Sequence, residues 1–73
     1  MVSDKKITNN LRKLRFEFDE MTQQSLANKV GVSRQTIVAI EKGKYSPSLE
    51  VAFKLADVFD LTLDKVFQYQ IMG

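Results

Sequence analysis

The chain has 73 residues, no cysteine and no histidine, and a formal net charge of +2. A domain of this length buries only about 60% of the surface its unfolded form exposes, and the missing residue types exclude disulfides, cysteine metal sites, thiol chemistry and the commonest general base. The first ten residues, MVSDKKITNN, hold no apolar run of the signal-peptide kind, and no stretch approaches the roughly 18 consecutive apolar residues of a membrane span, so a soluble cytoplasmic protein without a membrane partner is expected.

In chain order, the first predicted helix runs from about Thr8 to Phe18, with Leu11, Leu14 and Phe18 at helical spacing and Thr8 or Asn9 as its cap. Asp19-Glu20 then makes a turn. Thr22 is suited to cap a second helix that ends near Val30, because Gly31 takes the left-handed conformation without a Cβ clash. Ser33 caps a third helix that runs to about Lys42 and stops at Gly43.

Residues 44–48, KYSPS, read as a loop in which Pro47 keeps its predecessor out of the helical region; either Ser48, or Ser46 with Pro47 in the first helical position, starts the next helix. That fourth helix spans about Leu49 to Phe59. Thr62 caps a short fifth helix, Leu63 to about Phe67, whose early Asp64 complements the helix dipole. In the tail, Phe67, Tyr69 and Ile71 alternate with Gln68 and Gln70, the pattern of a short strand pairing with Lys5 to Thr8.

The stretch from Gln23 to Lys42 therefore contains two amphipathic helices joined at a Gly31-Val32-Ser33 corner, with apolar residues at Leu26, Ala27, Val30, Val32, Ile37 and Ile40. This is the layout that places a helix in the major groove of double-stranded DNA. With Ile37 and Ile40 turned inward, about 100° per residue points Gln35, Val38, Ala39 and Lys42 away from the core, with Arg34 and Thr36 beside them. Arginine suits guanine O6 and N7, glutamine suits adenine N6 and N7, and Val38 or Ala39 suits a thymine methyl. Around that helix, the leading N–H groups beside Thr22 and Gln23, and the side chains of Lys42, Lys44 and Tyr45, are candidates for the phosphate backbone.

Charge follows the same division. Residues 22–44 hold Lys29, Arg34, Lys42 and Lys44 against Glu41, a balance of +3, whereas residues 45–73 hold Lys54 and Lys65 against Glu50, Asp57, Asp60 and Asp64, a balance of −2. The fourth helix is apolar on two sides: Leu49, Ala52, Phe53, Ala56 and Phe59 form one face and Val51, Leu55 and Val58 another, separated by a stripe of Glu50, Lys54 and Asp57. One small core does not cover both. Val51, Leu55 and Val58, with Phe67, Tyr69, Ile71 and Met72, are therefore expected to form a homodimer interface in the C-terminal part, residues 49–73, of a single domain spanning 1–73 with its helix-turn-helix core at 22–42.

MTQQSLANKVGVSRQTIVAIEKGKYSPSLEVAFKLADVFDLTLDKVF resembles the small Cro/C1-type helix-turn-helix regulators, the XRE family, over about Asn10 to Phe67; the small Ala27, Gly31, the SRQTI helix start, Glu41-Lys42-Gly43-Lys44 and the PSLE opening occur in the family's order. The resemblance implies an all-α, five-helix, lambda-repressor-like domain, usually dimeric, acting at promoters. It also implies that Gln23 contacts phosphate, that Ser33, Arg34, Gln35 and Ala39 face bases, and that Arg15 pairs with Glu41. The endings of some small dimeric members resemble VFQYQ, which implies an antiparallel β pair between the termini. Two departures stand out: the link from Arg15 to Gln23 is one residue longer than is common, and Asp60 occupies a helix end where glycine is frequent.

No enzyme is expected, since the nine acidic residues show no pairing in an apolar cleft, and no cofactor, metal or small-molecule effector is indicated. The leading expectation is a dimeric repressor that reads an inverted-repeat operator, its two third helices in successive major grooves about 34 Å apart. The alternative is a protein-interaction module of the same fold, an antitoxin or a coactivator, with weak or no specific DNA binding.

Overall fold

A computed structural model describes residues 5–71. Their order is β1 (Lys5–Asn9), α1 (Leu11–Glu17), α2 (Gln23–Val30), α3 (Arg34–Glu41), α4 (Leu49–Val58), α5 (Leu63–Val66) and β2 (Phe67–Ile71). The five helices and the terminal β pair expected from the sequence are present. None of the described helices is long and apolar enough to cross a membrane.

The first helix starts three residues later than periodicity predicts, because Thr8 and Asn9 belong to β1. That strand pairs antiparallel with β2, matching Lys5 to Ile71, Ile7 to Tyr69 and Asn9 to Phe67. Two asparagines then make the corner. Asn9 Oδ1 accepts from the Leu11 N–H at 3.1 Å while its Nδ2 donates to the Ile40 carbonyl at 2.9 Å. The Asn10 side chain donates to the Lys65 carbonyl at 3.0 Å, and its backbone N–H to that of Val66 at 2.9 Å. Long-range partners thus satisfy polar groups that a further helical turn would have occupied.

The helix starts otherwise follow their caps. Thr22 Oγ1 accepts from the Ser25 N–H, Ser33 Oγ from the Thr36 N–H and Ser48 Oγ from the Val51 N–H, each relieving one of the donors a helix start leaves unpaired. Thr62 is different. Its hydroxyl donates to Asp64 Oδ1 at 2.6 Å and makes no capping bond to the backbone, and this bond lowers the Asp64 carboxyl below its ordinary pKa.

Helices α2, α3 and α4 end alike. In each, the residue that follows a left-handed Gly31, Gly43 or Asp60 donates back to a carbonyl of the last turn, Val32 to Ala27, Lys44 to Ala39 and Leu61 to Ala56. These turns aim α2 and α3 so that Leu26, Ala27 and Val30 pack with Ile37 and Ile40 over Leu11 and Leu14, with Leu55, Ala56, Phe59 and Val66 closing the core. Phe18, half-exposed, meets the Phe59 ring edge-on at 5.1 Å.

The packing of α4 corrects one expectation. Leu55 is wholly buried in its own subunit and cannot form an interface, and Val51 and Val58 are half-buried against the same core. The face turned to solvent is the other one, with Leu49 72% and Phe53 57% exposed. Ala52, Ala56 and Phe59 lie nearer the Leu55 side, so the two apolar stripes do not separate as drawn from the sequence. Phe67 also leans on the core, Tyr69 and Ile71 are exposed, and Met72 lies outside the described residues.

Candidate nucleic-acid interface

The orientation of α3 decides what the surface can do. Ile37 and Ile40 are fully buried, whereas Ser33, Arg34 and Gln35 are exposed and Thr36, Val38 and Ala39 are half-buried. A charged and an amide side chain therefore project from the first turn, and small apolar groups follow them along the same face. Ser33 and Thr36 hold this start together twice, through the cap at 3.1 Å and a hydroxyl-to-hydroxyl bond of 2.9 Å.

At the other end, Glu41 is the one acidic residue of the helix-turn-helix segment, and its charge is taken up. Arg15 Nε donates to Glu41 Oε2 at 2.7 Å and its Nη2 to Oε1 at 3.0 Å, a two-point pairing matched to the planar geometry of both groups. Gln23 Nε2 adds a third bond to Oε1 at 3.1 Å, and Arg15 Nη1 donates to the Met21 carbonyl at 2.9 Å. The Arg15–Glu41 pair implied by the resemblance is thus formed, and it clamps α1, the entry to α2 and the end of α3 into one unit. It also leaves the face without an unpartnered carboxylate from this segment.

Of the predicted contact residues, the structure brings five into one groove and leaves Ser33, Gln35, Thr36, Ala39, Lys44 and Tyr45 outside its lining. Thr22, Gln23, Arg34, Val38 and Lys42 line a single shallow groove floored by Arg15 and Glu41, with Gln24 and Arg12 completing its walls. Gln23 keeps one amide N–H beyond its bond to Glu41, and the leading backbone N–H groups of α2 open beside it. Lys42, Lys44 and Tyr45 are exposed in the turn after α3.

Two basic residues enter this region that the sequence reading did not single out. Arg12 lies in the groove, and the Lys6 side chain runs beside Gly43, with its Cε 3.4 Å and its Nζ 3.6 Å from where a Cβ there would stand. Arg12 was accessible in principle, since it sits three residues before Arg15 on one side of a helix and so shares the direction of the pair with Glu41. Lys6 was not, because its position depends on the strand register.

Of the predicted dimer-interface residues, Phe67 and Tyr69 lie in a separate apolar surface whose other members were not predicted. Exposed Phe53 and Leu61 share a shallow depression with Leu63, and Leu63 in turn borders Ile7, Phe67 and Tyr69, so the apolar surface runs from α4 across α5 to the β pair.

Known proteins agree with this architecture. Residues 20–66 match the helix-turn-helix family model. An uncharacterized HTH-type transcriptional regulator of Methanocaldococcus jannaschii is 58% identical over 50 residues, covering 68% of this chain and 76% of its own. The cryptic phage CTXphi transcriptional repressor RstR of Vibrio cholerae is 39% identical over 56 residues, covering 77% of this chain and 50% of its own. Among solved structures, the transcriptional regulator VanUg superposes with a TM-score of 0.77 at 20% identity over 99% of this chain and 93% of that one.

Proposed function

The chain belongs to the Cro/C1-type, or XRE, helix-turn-helix family, and from that membership we propose that it is a double-stranded DNA-binding transcriptional regulator, a homodimeric repressor that reads an inverted-repeat operator with α3 in the major groove. It belongs with regulators, not with enzymes. The observation that carries the reading is the split of α3 into a buried side at Ile37 and Ile40 and a free side at Arg34 and Gln35. Ser33, Arg34, Gln35, Thr36, Val38 and Ala39 face base edges, and Thr22, Gln23, Lys42, Lys44 and Tyr45 hold phosphates. The relative named as a phage repressor supports repression as the sign of the effect.

Residues 22–42 supply the reading head of a single domain, and the C-terminal part supplies dimerisation. The surface for it is the continuous apolar band of Phe53, Leu61, Leu63, Ile7 and Tyr69, in place of a patch centred on Leu55. Selection of bound duplexes from a random DNA pool tests binding, symmetry and spacing together. Enrichment of a two-fold symmetric sequence supports the proposal. No enrichment, with a second protein copurifying at fixed stoichiometry, would assign the fold to protein interaction instead.

A further inference from the structure

Arg12 and Lys6 both precede the helix-turn-helix segment in sequence, and both end beside it in space. Arg12 shares a groove with the start of α2 and with Arg34, Val38 and Lys42, and Lys6 lies along Gly43, between Lys42 and Lys44. Arg12 lies in the groove beside the entry to α2, and Lys6 lies in a cleft with Lys42 and Gly43 past the end of α3. Neither makes an ion pair among the described residues, where the paired cations are Arg15 and Lys54. Glu41, which lines a cleft with each of them, is held by Arg15 and Gln23, and Glu20, which borders the adjoining cleft with Arg12, forms no bridge to it.

We propose that the N-terminal segment is a second phosphate-binding element: Arg12 and Lys6 each neutralise one DNA phosphate outside the helix-turn-helix segment, extending the backbone footprint beside the start of α2 and past the end of α3. This rests on the DNA-binding reading above. Cations so placed carry no base preference; they strengthen binding to any duplex and steepen its dependence on salt, because each neutralised phosphate releases counterions. The β pair acquires a role in this scheme, since the antiparallel register is what brings Lys6 to Gly43.

The test measures the binding constant of the full chain for two duplexes of equal length, one enriched by the wild type from a random pool and one unrelated, as salt is raised from about 50 to 200 mM. Arg12→Ala and Lys6→Ala should each lower the slope of log affinity against log salt by about 0.9, so that the wild-type advantage shrinks about three- to fourfold across that range on both duplexes. Arg12→Lys should keep the wild-type slope, and sequence preference should be unchanged throughout. Lys13→Ala removes a cation from α1 outside the groove and should keep the slope too; an equal loss there would reduce the effect to net charge and overturn the proposal. A wild-type slope in either Arg12→Ala or Lys6→Ala, with thermal midpoints unchanged, also overturns it while leaving the DNA-binding reading intact. A wild-type chain that binds neither duplex overturns both.

Discussion

Arg34 and Glu41 sit seven residues apart on one helix and have opposite tasks. Arg34 is exposed at the first turn, so Arg34→Ala should leave folding unchanged while costing about 1–3 kcal/mol of discrimination at one base pair, read as relaxed preference at that position when operator variants are titrated. Unchanged preference would mean that another face of α3 reads the bases. Glu41, with its side chain 7% exposed, accepts three bonds from Arg15 and Gln23. Glu41→Gln removes the charge that balances Arg15, whose side chain is 15% exposed, and should destabilise the domain by about 2–3 kcal/mol, checked by denaturant titration. The phase of α3 was legible because its largest apolar residues, Ile37 and Ile40, stand three apart on one side and mark the face that is buried. Arg12 escaped notice for the opposite reason: its place is set by the neighbour of its neighbour, the Arg15–Glu41 pair, and periodicity says nothing about which exposed cations face a groove.

Helix ends show where local chemistry suffices and where it does not. Ser33 and Gly31 were readable because a cap and a left-handed turn are made by the residue itself. The start of α1 was not, because Thr8 and Asn9 answer to β2, some 60 residues away, and α4 was ambiguous because a helix apolar on two sides gives no sign of which stripe meets the core. Asp60 shows the cost of an end built without glycine. It holds φ +55° to close the turn after α4, so Asp60→Gly should relieve left-handed strain and raise stability by about 0.5–1 kcal/mol, seen as a higher thermal midpoint. The start of α5 gives a pH signature. Thr62 donates to Asp64 and lowers its pKa, so the folded chain gains stability above the ordinary aspartate range and loses that gain as pH falls through the lowered value. Thr62→Val should bring the Asp64 titration back up toward the ordinary value, followed by NMR, and should flatten the acid limb of the stability profile.

At the scale of the whole molecule, the two working surfaces have to serve each other. Phe53, Leu61, Leu63, Ile7 and Tyr69 border one another across α4, α5 and the β pair, while α3 and the groove beside it are assigned to DNA. If the apolar band joins two copies about a two-fold axis, each reading head is held at a fixed distance from its twin, and the separation that fits straight duplex is one helical turn, about 34 Å. Binding of the second head then becomes intramolecular, so affinity should exceed that of a single head by about 10²- to 10⁴-fold without any new contact. Two perturbations should remove that gain independently. Inserting about five base pairs between half-sites turns the second site to the opposite side of the duplex and should reduce affinity to that of one half-site. Phe53→Lys should produce the same loss on the natural spacing, with sedimentation showing an 8.4 kDa monomer, while binding to an isolated half-site stays unchanged. A Phe53→Lys chain that remains dimeric and keeps the spacing preference would place the interface elsewhere on the molecule; a wild-type chain indifferent to the insertion would dissolve the coupling between the two surfaces altogether.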